Sequence, residues 1–189
     1  MLEIGRAVEE DLDRLLHLHE EARLGGFFDL LSPEGKLRFY RFVMSPNLDH
    51  ELLVAREKGV IRGFAIFSIM RRTTSPRFLV TMLSELDTLK VLKNLAMLRD
   101  YISLQKKKKG LNPSGVHIDV LVVDPHHLGK KIGTQLIGCV KDYAEAHQVA
   151  ISVDTRLTNE RAIKFYLNQE FRSVSNTKLS ILFFAPYFQ

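Results

Sequence analysis

One cysteine, Cys139, stands in a chain of 189 residues. No intramolecular disulfide can form, so nothing in the sequence calls for an oxidising compartment. No uninterrupted apolar run approaches the roughly 18–20 residues that a membrane-spanning helix needs. The N-terminus, MLEIGRAVEEDLDRLL, is acidic and amphipathic rather than signal-like. Glycine (11) and proline (6) are too few for a collagen-like or low-complexity chain, and no internal repeat is visible. The expectation is a soluble, cytoplasmic protein with no membrane partner.

What is present fits a compact globule. Hydrophobic residues make up 46% and charged residues 26%, and a chain of this length buries roughly 70% of its unfolded surface on folding, enough for one core. A single domain over 1–189 is expected. Lys and Arg number 27 against 22 Asp and Glu, a net charge of +5 that favours anionic ligands such as phosphorylated cofactors. The run Lys106 to Lys109 reads as a solvated helix end. It lacks aromatic interleaving and any nucleic-acid motif, so no nucleic-acid partner is expected.

Along the chain, residues 2–8 alternate as a strand and a helical period begins at Glu9. Gly25-Gly26 ends that helix. Ser32-Pro33-Glu34 opens a second, with Ser32 as N-cap and Pro33 at the first helical position, and Pro46-Asn47 stops it. Residues 51–56 and 60–70 form a hairpin around Glu57-Lys58-Gly59. Residues 74–115 are an amphipathic insertion of one long helix or two shorter ones, whose Leu/Met stripe needs a partner surface, either the domain itself or a second copy in a homodimer. Residues 116–123 are the most strand-like segment, halted by Asp124-Pro125. A helix from about residue 130, a strand at 149–153, a helix at 159–169 and strands at 171–175 and 178–184 follow.

The strand at 116–123 leads into Asp124-Pro-His-His-Leu128-Gly129-Lys130-Lys131-Ile132-Gly133-Thr134 and then a helix. A glycine-bearing turn at a helix start leaves backbone N–H groups aimed outward, where a pyrophosphate is a natural ligand. The spacing is neither Gly-x4-Gly-Lys-Ser/Thr nor Gly-x-Gly-x-x-Gly, so kinase, GTPase and Rossmann dehydrogenase readings lose their main support. The segment VLVVDPHHLGKKIGTQLI resembles the acetyl-CoA-binding segment of the GNAT acetyltransferase superfamily, a strand ending in Val-Asp-Pro and a turn of Arg/Gln-x-x-Gly-x-Gly/Ala. Downstream, Asn159-Glu-Arg-Ala162-Ile-Lys-Phe165-Tyr166 resembles that family's second signature, Asn-x-x-Ala-x-x-Phe-Tyr followed by Gly-Phe. Here Leu128 replaces Arg or Gln, Lys131 the first glycine of the turn, and Glu170 the glycine before Phe171. A non-glycine residue forced into a left-handed backbone angle costs about 1–2 kcal/mol.

The resemblance implies an α/β fold, with a GNAT-type central mixed, mostly antiparallel sheet flanked by helices and an extra helical insertion before the central strand. It implies direct transfer of an acetyl group from acetyl-CoA, as co-substrate, to the primary amine of a small molecule or peptide. Leu121, Val122, Val123, Leu128, Gly129, Lys130, Lys131, Ile132, Gly133, Thr134, Asn159, Phe165 and Tyr166 match the cofactor-contacting positions. Tyr166 stands where the family places the general acid beside the sulfur. A backbone N–H at Val122 or Val123 would serve the carbonyl oxygen.

For the base, two-residue alternation puts His117, Asp119 and Leu121 on one strand face and Ile118, Val120 and Val122 on the other. His117 and Asp119 are both candidates, the imidazole because its free pKa near 6.5 suits proton uptake at neutral pH. Asn159 is equally an N-cap. His17-x-His19 and His126-His127 lack metal-ligand spacing, so no metal is expected, and Cys139, mid-helix, reads as an inert thiol. A non-catalytic acyl-CoA sensor or interaction module that keeps the GNAT fold is the alternative, motivated by Leu128, Lys131 and Glu170.

Overall fold

The structure is a computed structural model and describes residues 1–22, 27–45, 50–69, 86–87, 92–111 and 115–185. Its elements are β1 (Leu2–Arg6), α1 (Leu12–Ala22), α2 (Pro33–Met44), β2 (His50–Glu57), β3 (Val60–Ile69), α3 (Leu95–Leu111), β4 (Val116–Val123), α4 (Ile132–Ala146), β5 (Ile151–Arg156), α5 (Glu160–Asn168), β6 (Arg172–Asn176) and β7 (Ser180–Ala185). The strands make one seven-stranded sheet in the order β1-β2-β3-β4-β5-β7-β6. Only the β4–β5 pair is parallel.

Local chemistry accounts for much of this. Ser32 caps α2 by accepting from the Gly35 N–H at 2.9 Å, with Pro33 at its first turn. Lys58 and Gly59 both take positive φ (52° and 76°) and close the β2–β3 hairpin in two residues, a turn whose twist suits the flanking strands. Glu9–Asp11 form a 3-10 turn, so α1 proper starts at Leu12 rather than Glu9. The predicted stops at Gly25-Gly26 and Pro46-Asn47 lie outside the described residues.

Each face of the sheet carries its own core. Leu12, Leu15 and Leu18 of α1 with Tyr40 and Val43 of α2 pack on Val54, Phe64, Ile66, Val120 and Val122. His19 belongs to this cluster. It stacks on Phe28 with ring centroids 3.8 Å apart, and its Nδ1 lies 2.8 Å from the Tyr40 hydroxyl. Burial, helped by the Lys36 charge, lowers its pKa to about 3, so it is a neutral core group. On the other face Ile137, Val140 and Ala144 of α4 and Tyr166 of α5 meet Phe67, Val116, Ile118, Val153 and Phe183.

This division corrects the strand-face expectation, because Ile118 lies on the α4 face and Val120 and Val122 on the α1 face. The cause is a bulge. Ile66 pairs with Val120 and Phe67 with Ile118, which leaves Asp119 as the extra residue, and an extra residue reverses the alternation beyond it.

The insertion is only partly described. Leu86 bridges to Leu31, and α3 lies on the His117 side of β5 and β7. Of the expected helical insertion over 74–115, residues 74–85, 88–91 and 112–114 lie outside the described residues. Within one chain, Leu92, Leu95 and Ile102 of the apolar stripe do not seat on the domain but are exposed, whereas Leu104 is buried. Polar side chains hold α3 instead. Asp100 accepts from Ser180 Oγ at 2.8 Å and from the Leu179 N–H at 3.0 Å, and Lys107 donates to Ser175 Oγ at 3.1 Å and to the Asn176 carbonyl. Lys107 and Lys108 are therefore not a solvated helix end, although Lys106 is exposed.

Candidate functional site

Pairing between β4 and β5 covers only Val116–Ile118 against Ile151–Val153. It ends at the Asp119 bulge, and beyond it Val120–Val123 stays with β3 while Asp154–Arg156 stays with β7. Two parallel neighbours thus part into a wedge at their carboxyl ends, where open α/β sheets characteristically receive ligands. The Asp124 N–H donates to Arg62 O on β3 at 2.8 Å. Strand alternation therefore turns the N–H groups of Val123 and Leu121 the other way, into the wedge.

The β4–α4 turn forms the wedge's outer rim. Asp124 is buried and caps the Pro125–His127 turn by accepting from the His126 N–H at 2.9 Å. Its other oxygen receives Arg14 of α1 at 3.0 Å and Arg62 of β3 at 3.3 Å. Burial alone would raise this carboxyl, but the donors outweigh it and hold the pKa below the ordinary value. Gly129 (φ 81°) and Lys131 (φ 59°) then reverse the chain into α4. Lys131 contributes no side-chain cap, and the first helical bond in this turn runs from the Gln135 N–H to Lys131 O at 3.0 Å. The amides of Ile132, Gly133 and Thr134 precede it and point out of the helix end, with the exposed Lys130 and Lys131 beside them.

A Cβ on Gly133 would meet the Phe165 ring at 3.3 Å, so the glycine lets α4 and α5 approach closely. This backbone fits an anionic pyrophosphate. Glu170 takes φ 68°, so both positions where a glycine was missing keep the left-handed angle that glycine would favour.

The predicted residues separate into groups. Tyr166 is buried on α5, with its ring 5.7 Å from Phe171 and 5.8 Å from Phe183. Burial, reinforced by the Asp154 carboxylate, pushes its phenol well above the usual value, so it stays protonated. Leu121 and Val123 pack beneath α4 and Val122 on the opposite face. Leu128 is exposed. Asn159 is the N-cap of α5, accepting from the Ala162 N–H at 3.1 Å. Cys139 is half-buried, and burial with the nearby Asp142 raises its thiol pKa, consistent with inertness.

His117 and Asp119 do not meet as a pair. Asp119 is exposed on the bulge. His117 is 1% exposed. Its Nδ1 is 2.9 Å from Ser152 Oγ and its Nε2 is 3.1 Å from Asp154 Oδ1. Asp154 also receives Lys108 Nζ of α3 at 2.6 Å. Burial works to raise the Asp154 carboxyl, yet Lys108 and His117 together hold it far below the ordinary carboxylate range. Tyr101 of α3 is near both acids, and its phenol is raised by burial and by the charges of Asp119 and Asp154.

Asp154, Lys108 and Tyr101 were not among the sequence candidates. An acid at the carboxyl end of a strand in a strand–helix–strand unit was the available signal for Asp154. Nothing local marked Lys108 among four lysines. Among the described residues no group of three or more His, Cys, Asp or Glu is placed to hold a metal ion, and no described helix is long and apolar enough to cross a membrane.

Sheet order, wedge and turn together define a GNAT-type α/β fold. Residues 12–171 match the model of the acetyltransferase (GNAT) family, and the chain belongs to that family. No curated protein sequence matches it. Among solved structures it is similar to the ribosomal-protein-S18-alanine N-acetyltransferase from Escherichia coli, with a TM-score of 0.63 and 14% identity over 100% of this chain and 96% of that one. It is also similar to the PaiA N-acetyltransferase from Thermoplasma acidophilum in complex with coenzyme A (TM-score 0.62, 16% identity, 99% of each chain). Arabidopsis thaliana NAA60 in complex with a bisubstrate analogue is a third such structure (TM-score 0.65, 16% identity, 98% of this chain and 97% of that one). At such identities the likeness is one of fold.

Proposed function

We propose that the protein transfers an acetyl group from acetyl-CoA directly to a primary amine. The observation that carries this reading is the wedge between β4 and β5, with the uncapped N-terminus of α4 at its rim and Tyr166 behind it. Acetyl-CoA, when bound, supplies an acyl thioester. The amides of Ile132, Gly133 and Thr134, the turn at Leu128 and Gly129, and the charges of Lys130 and Lys131 would hold its pyrophosphate. Leu121, Phe165 and the wedge edge of β4 would flank its chain. The Val123 N–H donates toward the carbonyl oxygen, and Tyr166, kept protonated by its surroundings, donates to the sulfur.

Asp119, not His117, meets the acceptor. Both nitrogens of the buried His117 are occupied, by Ser152 and Asp154, whereas the Asp119 carboxylate is exposed at the mouth, and a base must first reach the proton it removes. Asp119 accepts a hydrogen bond from the incoming ammonium and positions it, the ammonium loses its proton to water, and the neutral amine then attacks. Two of the three motives of the sensor alternative weaken, because Lys131 and Glu170 retain the backbone that glycine would give, and Leu128 is left as its support.

The test is acetyl-CoA turnover across a panel of amines and N-terminal peptides. At pH 7 roughly one primary amine in two thousand is neutral, so with a carboxylate at the mouth kcat/KM keeps rising to about pH 9. An imidazole base would make it level off near 6.5, and that plateau would remove Asp119 from the role. Asp119→Asn should lose at least about tenfold in kcat/KM with the KM for acetyl-CoA unchanged. Absence of turnover on every amine overturns the reading.

A further inference from the structure

The strongest unassigned feature is the chain Lys108–Asp154–His117–Ser152, buried except at the half-buried Asp154, which joins the inserted helix to both strands at the foot of the wedge. Lys108 is 4% exposed, rare for a lysine, and its ammonium lies 2.6 Å from an Asp154 oxygen that also faces His117 Nε2. Ser152, the last link, can donate to the Val116 carbonyl at 3.3 Å.

We propose that Lys108 is a positioning residue, whose buried ammonium balances the half-buried Asp154 carboxylate so that His117 stands beside it without taking up a second proton. This rests on the transfer reading only in its consequence for activity.

The argument is one of charge. With Lys108 present, the chain contains one cation and one anion and is neutral with an uncharged ring. Without it, a half-buried carboxylate is left beside an imidazole already aimed at it, and a partly desolvated charge that loses its partner is destabilising. The least costly remedy is a second ring proton. The geometry already accommodates one, since Ser152 can give its own proton to Val116 O and accept from His117 Nδ1 while Nε2 donates to Asp154. Other titratable groups near this chain are Tyr101 on α3, Tyr166 on α5 and Asp119 on β4. The two phenols stay neutral, and Asp119 adds negative charge, which deepens the need for a cation. Ser68 is the neutral β3 neighbour of His117.

Lys108 also bears on the leaving sulfur. Asp154 holds the Tyr166 proton more tightly, so an unbalanced carboxylate weakens that donor and opposes negative charge developing in the wedge.

The experiment is a pH titration of the His117 ring nitrogens by NMR in the protein without acetyl-CoA, comparing wild type, Lys108→Met, Lys108→Arg and the double variant Lys108→Met/Asp154→Asn. Lys108→Met should move the midpoint for the second ring proton up by about one unit or more. Lys108→Arg should behave as wild type. The double variant should lose the upward shift, because no carboxylate is left to balance, and it tolerates loss of Lys108 in the fold for the same reason. In activity, Lys108→Met should lower kcat at pH 8 severalfold at unchanged KM for acetyl-CoA, with recovery in Lys108→Arg. Equal midpoints in wild type and Lys108→Met, or a double variant shifted as far as Lys108→Met, would overturn the proposal. A wild type that turns over no amine overturns the transfer reading, and the NMR comparison still decides Lys108.

Discussion

Two regions border the wedge and are held in opposite ways. The turn from Asp124 to Thr134 is shaped mainly by its own backbone, through a capping aspartate two residues from its partner amide, two left-handed angles and an uncapped helix end. Helix α3, on the other side, is held by side chains whose partners are distant in sequence, Lys107 with Ser175 and Asp100 with Ser180 being 68 and 80 residues apart. Short-range geometry builds the turn, the proposed cofactor end, which is therefore tolerant of what surrounds it. The other side can be rebuilt by an insertion that hooks onto β5, β6 and β7 without disturbing that turn.

The largest expected effect tests whether chemistry sits between the two regions. Tyr166→Phe keeps the ring that packs on Phe171 and Phe183 and removes only the hydroxyl. Loss of a general acid costs on the order of a hundredfold in kcat, with acetyl-CoA binding unchanged by calorimetry. A wild-type rate would place Tyr166 among the core residues only and leave the wedge without its donor.

Asp124→Asn comes next, because the ion pairs of Asp124 with Arg14 and Arg62 anchor an otherwise local turn to distant elements. The variant keeps the shape but loses the charge that faces Arg14 and Arg62, and a buried charge-assisted network deprived of one partner costs about 1–3 kcal/mol. Because the folded-state pKa lies below the unfolded one, the carboxylate's contribution is fully present above the unfolded aspartate value near 3.9 and is lost as pH falls below it. Denaturant unfolding at pH 7 should therefore show a gap between wild type and Asp124→Asn that narrows toward pH 3. A gap of constant size across that range would mean that shape, not charge, anchors the turn.

The same contrast explains what the sequence disclosed. The Ser32 cap, the Lys58-Gly59 turn, the 116–123 strand and the β4–α4 turn depend on residues within a few positions of one another, and they were legible. The Asp119 bulge was not, because it is a register slip between β3 and β4 and only the partner strand determines it. Strict alternation then misplaced Ile118. Lys108 was hidden for the same reason: four lysines in a row are chemically alike, and the choice of which one is buried depends on the approach of α3 to Asp154. The amphipathic stripe did not disclose how α3 meets the sheet, since Asp100, Lys107 and Lys108 make those polar contacts while Leu92, Leu95 and Ile102 are exposed in the single chain.

The smallest expected effect probes the local region directly. Lys131 and Glu170 occupy left-handed angles of 59° and 68° that cost a residue with a Cβ about 1–2 kcal/mol. Glycine removes that cost but adds freedom to the unfolded chain, which returns part of the gain. The net for Lys131→Gly or Glu170→Gly is a stabilisation of about 0.5–1 kcal/mol each, or roughly 2–3 °C in Tm for a chain of this size. The two should then diverge in binding. Glu170 reaches back to Lys141 at 3.6 Å across the α4–α5 contact, away from the helix end, so its replacement should leave acetyl-CoA affinity unchanged. Lys131→Gly removes a positive charge from the rim of the cradle and should weaken binding severalfold, more at low salt than at high. Equal affinities for the two variants would mean that the α4 backbone alone holds the pyrophosphate.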